Sequence, residues 1–221
     1  MKPESKLSVC GIQTANFLAR LGRTLQGLQQ GIQTLPDLER QLLLQMSIIQ
    51  VHSYLDGFFR CLVTQATFWE PEPARQYLSA RRPDQADNII GLPLASLCAW
   101  VKKEVAFGNG ADGLKGVVQA LFGISPFGDE KNEWAILDLV IVRNVCVHDL
   151  GQVAEAEFRA VRTPGVIVSR GMVGKHELFG LMITPQFITA SMLAVAACVA
   201  HVSRHVENDA RFARVTLPDS E

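Results

Sequence analysis

The sequence predicts an all-α protein, a helical bundle of four to six helices with a small β-hairpin late in the chain. Apolar residues recur at three- and four-residue spacing through most of the chain, the period of an amphipathic helix. Cap-type residues, prolines and glycines punctuate that pattern where helices would begin and end. The pattern gives way only around Val166 to Ile183, where aliphatic runs are bounded by glycine as in a hairpin. Hydrophobic residues make up 48% of the 221, enough for a real core, which argues against wholesale disorder.

Residues 1–33 read as an N-terminal helical arm. Phe17, Leu18, Leu21, Leu25 and Leu28 fall at helical spacing, while Gly22, Gly27 and Gly31 weaken the helix. Residues 34–209 form the main helical domain, and 210–221 a loose C-terminal tail. The strongest helix runs from Thr34 to Phe68, with Thr34 as its cap, Pro36 in its first turn and Asp37 and Glu39 following. Trp69 to Gly91 reads as a break, because Glu70-Pro-Glu-Pro73 does not continue a helix. Ile89 to Phe107 is the next helix, with Pro93 near its start and Gly108-Asn-Gly110 at its end. A short helix spans Asp112 to Leu121, and a turn-rich joint spans Gly123 to Asp129.

The stretch from Asp138 to Gly151 is ambiguous in period. Leu139 to Val142 has strand-like residues, yet Asp129 can cap a helix, Glu130 and Glu133 suit its first turn, and Gly151 supplies a stop. It is read as helix. Ala154 to Ala160 follows as a short helical piece, and Gly165 to Arg170 and Glu177 to Ile183 as two strands joined around Gly171 to Gly174. The last helix spans Pro185 to Asn208, with Thr184 as cap. Its apolar part, Phe187 to Val202, falls short of the ~20 residues a membrane span needs, so a buried helix and no membrane association are expected.

Chemistry concentrates at Arg143, Asn144, His148 and Asp149. Arginine offers a rigid fork of donors to phosphate oxygens, and histidine moves protons near neutral pH. On a helix Asn144 and His148 share a face, so the amide is placed to orient the imidazole. Arg143 and His148 diverge by about 140° around an ideal helix, so one copy does not aim both tightly at one atom.

Arg143-Asn144-Val-Cys-Val-His148 resembles the RNxxxH form of the Arg-(four to six residues)-His signature of the HEPN family. The order of elements from about Leu35 to Asn208 is similar to that family as well. The resemblance implies a small α-helical domain of the toxin–antitoxin or phage-defence type that cleaves RNA without a metal. It implies catalytic roles for Arg143, His148 and Asn144, a homodimer with the motif helices facing each other, and an antitoxin protein as a possible partner. It also implies an acidic residue on an early helix, for which Asp56 is the nearest candidate.

Other residues receive blander readings. His52, Ser53 and Asp56 are placed to approach the motif helix, but solvent exposure is the expectation for them. Arg81 and Arg82 sit beside Asp84 and Asp87, as in a solvated loop. His201 and His205 have the spacing of a metal pair but lack a third ligand, so a solvated helix end is expected, with no metal and no cofactor. Cys10, Cys61, Cys98, Cys146 and Cys198 are scattered singly and read as reduced thiols of a cytoplasmic protein; Cys146 between two valines reads as packing. The net charge of -1 speaks against a broad basic face, so any contact with RNA is local. The competing function is a non-catalytic helical module that binds a partner protein or regulates transcription.

Overall fold

The computed structural model describes residues 8–32, 34–104, 111–148, 161–173 and 176–213. Side-chain surroundings are described for all of these except 8–15, 104, 111–112, 148, 168–173, 176–179 and 212–213. Among the described residues the chain is mostly helical with one antiparallel pair of strands, as the periodicity predicts. In order these are α1 (Ser8–Ile32), α2 (Asp37–Trp69), α3 (Pro71–Arg81), a 3-10 turn (Pro83–Gln85), α4 (Ala86–Ile90), α5 (Leu94–Glu104) and α6 (Ala111–Phe122). Then come α7 (Glu130–His148), β1 (Val166–Val173), β2 (His176–Ile183), α8 (Pro185–Asn208) and α9 (Ala210–Ala213).

Several expected boundaries move for physical reasons. Thr34 does not start α2. Its backbone N–H and its hydroxyl both donate to the Gly31 carbonyl, so it closes the end of α1 instead. The expected break after Trp69 is largely α3, whose prolines lie in the first turn, where backbone N–H groups have no helical acceptor anyway. Ile89 belongs to α4, and α5 begins only after Pro93, whose carbonyl accepts the Leu97 N–H. Gly171 lies within β1 opposite Leu178, not in the turn. Thr184 opens α8 through its backbone carbonyl, which accepts from Phe187 and Ile188, while its hydroxyl is buried with no partner among the described residues. The expected short helix at Ala154 to Ala160 and the stop at Gly151 lie outside the described residues. The tail begins with an ordered turn, where Asp209 accepts the Arg211 N–H at 3.0 Å and pairs with its guanidinium.

The chain forms two units. One gathers Met1–Phe17, Asp56–Gly128 and Cys198–Glu221, the other Leu18–Leu55 and Asp129–Ala197. In the first, Phe59, Leu62, Leu97, Val118, Phe122 and Val202 are fully buried or nearly so. Arg60 ties its helices together there, pairing with Asp56 at 2.6 Å and donating to the Val101 and Lys102 carbonyls at the end of α5. In the second unit Leu44, Ile48, Leu139, Val142, Ile183 and Phe187 are buried. Its hairpin is held at one end by Gln41. The side-chain amide donates to the Ile183 carbonyl and accepts the Ile183 N–H, both at 3.0 Å, as a neighbouring strand would. At the same end Gly165, at φ +101, sits so close to Thr184 and Phe187 that a Cβ would fall 2.5 Å from the Thr184 hydroxyl.

α8 is 24 residues long, and by length and composition it is apolar enough to cross a membrane. The expectation of too short a span weighs only its apolar part, Phe187 to Val202. α8 is also the kind of helix a protein core uses, with Phe187, Ile188, Ser191, Val195, Cys198 and Val202 almost wholly buried.

Candidate active site

α7 carries the motif, and its sequence explains why it starts where it does. Asp129 accepts the Asn132 N–H at 2.7 Å, which is the cap expected from its position. The helix is apolar nearly all round, with Ala135, Ile136, Leu139, Val140, Val142, Val145 and Cys146 buried, as a helix surrounded by protein should be. Asp138 is 2% exposed. Its Oδ2 accepts from the Arg162 N–H at 2.9 Å, the Thr163 N–H at 2.6 Å and the Thr163 hydroxyl at 2.6 Å. This carboxylate fixes the path of the chain into the hairpin. Nothing in the local pattern singled it out.

The motif residues occupy the last turns of α7. Arg143 is half-buried, and its Nη1 donates to the Asn144 Oδ1 at 2.9 Å. Its Nε is buried and has no acceptor among the described residues. The Asn144 carbonyl oxygen is thus engaged by Arg143, whereas the sequence assigned this amide to His148. His148 is the last residue of α7; its side chain and Asp149 lie outside the described residues. Arg143 is neither locked in a core nor free in water, so its burial alone does not divide the catalytic reading from the partner-binding one.

Leu137, Ile141, Asn144 and His148 fall at spacings of four, three and four, which align them in one stripe along α7. Leu137, Ile141 and Asn144 are each half-exposed. The face that carries the motif amide is therefore less covered than the apolar residues packed behind it.

The remaining sequence candidates fall elsewhere. His52 is buried rather than solvated, whereas Ser53 is exposed and donates to the Ile49 carbonyl. Asp56 is engaged by Arg60 and belongs to the other unit from Arg143, so its carboxylate already has a structural duty. Arg81 is part of α3, with its guanidinium 4.1 Å over the Tyr77 ring. His205 is part-buried, with Nε2 3.1 Å from the Phe122 carbonyl at the end of α6, and the His201 ring packs on Gly128; neither marks a solvated helix end. Among the described residues no three His, Cys, Asp or Glu side chains converge as a metal site would require. Burial pushes the Cys146 thiol up to about 11 and the Cys198 thiol to about 12, which keeps both as packing groups and not nucleophiles.

No protein-family model matches the chain, and neither a curated protein nor a solved structure matches it.

Proposed function

We propose that the chain is a metal-independent endoribonuclease of the kind its RNxxxH motif resembles, acting on RNA as a twofold homodimer. The observation that carries this reading is the Arg143 head group. Its fork is steadied by the Asn144 oxygen while the buried Nε–H lacks an acceptor among the described residues. A buried charged donor without a partner is costly, and a phosphate oxygen is the acceptor a guanidinium fits best.

On this reading the RNA 2′-oxygen attacks the adjacent phosphorus and the bond to the 5′-oxygen breaks. His148 takes the proton from the 2′-hydroxyl and a proton is returned to the departing 5′-oxygen, leaving a 2′,3′-cyclic phosphate and a 5′-hydroxyl. Arg143 stabilises the charge that gathers on the phosphoryl oxygens. The half-exposed stripe of Leu137, Ile141 and Asn144, continuing to His148, supports pairing of two α7 helices across a twofold axis. Such pairing would surround one cleft with two arginines and two histidines. A toxin–antitoxin or phage-defence role follows from the resemblance alone.

The test incubates purified protein with single-stranded RNA in the presence of a chelator. Cutting to cyclic-phosphate ends is expected, and His148→Ala abolishes it with helix content unchanged. Equal cutting by the variant, or cutting only with added divalent ion, overturns the reading. Mixing Arg143→Ala with His148→Ala chains tests the sharing of the site, since only a site built from both subunits regains activity in the mixed dimer.

A second reading, a non-catalytic module that binds a partner protein, is favoured by α2. Leu38, Leu42 and Met46 are 74%, 51% and 68% exposed at four-residue spacing, an apolar stripe on its first turns. An antitoxin would find a docking face there under the first reading as well.

A further inference from the structure

The second unit holds a cleft of about 550 Å³ toward the opposite end of α7 from the motif. Ala135 on its wall and Arg143 are eight residues apart, roughly 12 Å along a helix that rises 1.5 Å per residue. One side is α8, which contributes Ala190, Leu193, Ala194 and Ala197. Leu193 is 66% exposed although it lies on a helix whose other apolar residues are mostly buried. The facing side combines Lys131, Trp134 and Arg162. The Arg162 guanidinium lies 4.5 Å over the Trp134 ring, and the backbone N–H of Arg162 is held by the buried Asp138 carboxylate. The stack is therefore anchored to the core at its backbone.

Charge points the same way. Neither Lys131 nor Arg162 forms an ion pair with any carboxylate among the described residues. Asp129 also lines the cleft, but its two oxygens accept the N–H and the side-chain amide of Asn132 in the first turn of α7. Glu130 and Glu133 belong to that turn but do not line the cleft. What remains is an apolar slot with a cation–aromatic platform and a second cation at its edge. A guanidinium plane takes a flat ring on its outer face, and two cations take an anion. The size lies within the range of small-ligand pockets.

We infer that this cleft binds a nucleotide, its base against the Arg162–Trp134 stack and the α8 alanines, and its phosphate at Lys131 and Arg162. The nucleotide has two possible sources, a free mononucleotide or one residue of an RNA strand. In the second case the cleft would hold substrate at a distance from the proposed scissile bond. The inference does not need the ribonuclease reading. Binding is measured in full-length His148→Ala protein, so loss of cleavage and loss of binding are separate results.

The experiment follows indole fluorescence while adenosine 5′-monophosphate, adenosine, inorganic phosphate or a six-residue oligoadenylate is added. Adenosine 5′-monophosphate or the oligonucleotide is expected to change the signal, adenosine only at higher concentration, and phosphate not at all. Arg162→Ala and Lys131→Gln, both of exposed side chains, are expected to weaken binding of the phosphate-bearing ligand by about tenfold or more, the effect of losing one charge-assisted contact. Trp134→Leu is expected to remove the signal, and calorimetry is expected to show weakened binding in that variant. Equal affinity for the mononucleotide and the oligonucleotide identifies a free-nucleotide site; binding of the oligonucleotide alone identifies a strand subsite. No signal up to millimolar ligand, a response unchanged in all three variants, or capture of an acidic peptide in place of either nucleotide overturns the assignment.

Discussion

Replacing Asp138 by alanine should unfasten from α7 the segment that leads into the hairpin. The native carboxylate is 2% exposed, and one of its oxygens accepts three hydrogen bonds, two of them from consecutive backbone N–H groups. Hydrogen bonds to a charged acceptor are worth about 1.5–3 kcal/mol each when made, so three at face value give roughly 4–9 kcal/mol. The alanine variant does not lose that whole sum. Arg162 is exposed and Thr163 half-buried, so water can reach donors that the carboxylate leaves behind. About 3–5 kcal/mol is the expected loss, the range for breaking a buried charged pairing from one side. For a chain of this length that is a fall in melting temperature on the order of 6–20 °C. Asp138→Asn keeps the shape and one acceptor oxygen but gives up the charge, and should cost about 1–2 kcal/mol. Urea unfolding gives the size, and amide hydrogen exchange gives the place, since Arg162 and Thr163 should lose protection first. An alanine variant within about 1 kcal/mol of the parent, with both amides still protected, would refute the anchoring role.

Gly165→Ala should destabilise by about 3 kcal/mol or more, because φ is +101 and the new Cβ would fall 2.5 Å from the Thr184 hydroxyl and 2.6 Å from the Phe187 nitrogen. Gly27→Ala in α1, where a Cβ meets nothing within 4 Å, should stabilise by about 0.5–1 kcal/mol; urea midpoints of the pair check both signs. The buried thiols set an alkaline limit. The folded state holds Cys146 protonated up to about 11, against an ordinary 9.0, so the unfolded chain binds fewer protons above that lower value. Stability should therefore be at its full value below pH 9.0 and decline as pH rises towards 11, with Cys146→Ser or Cys146→Ala flattening the fall; a profile unchanged by either removes the attribution. At neutral pH a thiol reagent should modify the exposed Cys98 well before Cys146 or Cys198. On the proposed ribonuclease reading, Arg143→Lys keeps the charge but not the fork, and should lower RNA cleavage by about tenfold to a hundredfold with helix content unchanged; undiminished cleavage would mean the fork is not used.

What the sequence makes legible is what neighbours decide. The limits of α8 follow from a threonine–proline start, a long apolar run and an asparagine end, all within one segment. The start of α7 follows from Asp129 and the acids behind it, and the cap bond spans only three residues. α3 is missed because proline carries two meanings: it breaks a helix from inside and fits one at its first turn. Gln41 and Asp138 escape for a different reason. Each satisfies backbone groups far away in sequence, Gln41 across 142 residues and Asp138 across 24 or 25, and a polar residue inside a helical pattern looks the same whether its partner is water or a distant amide. The cleft beside Trp134 is hidden on the same ground, since it needs α7, α8 and the residues before β1 brought together.

The motif shows where helix geometry stops being a guide. Spacing places Arg143 about 140° from His148 and Asn144 only about 40° from it, so the amide was the natural partner of the imidazole. The structure instead joins Arg143 to Asn144, residues 100° apart on an ideal helix, because a long side chain can fold along the helix surface to its neighbour. That contact draws the guanidinium from its own side of α7 toward the half-exposed stripe on which Asn144 lies and to which the backbone position of His148 belongs. The angular gap at the Cα atoms therefore overstates how far the guanidinium lies from the stripe of Asn144. One α7 can bring its guanidinium nearer the stripe than its backbone angles imply, and on the proposed ribonuclease reading a second copy would close the opposite side of the phosphate. Among the described residues Nε has no acceptor, which leaves one donor of the fork uncommitted while Nη1 is held by the amide.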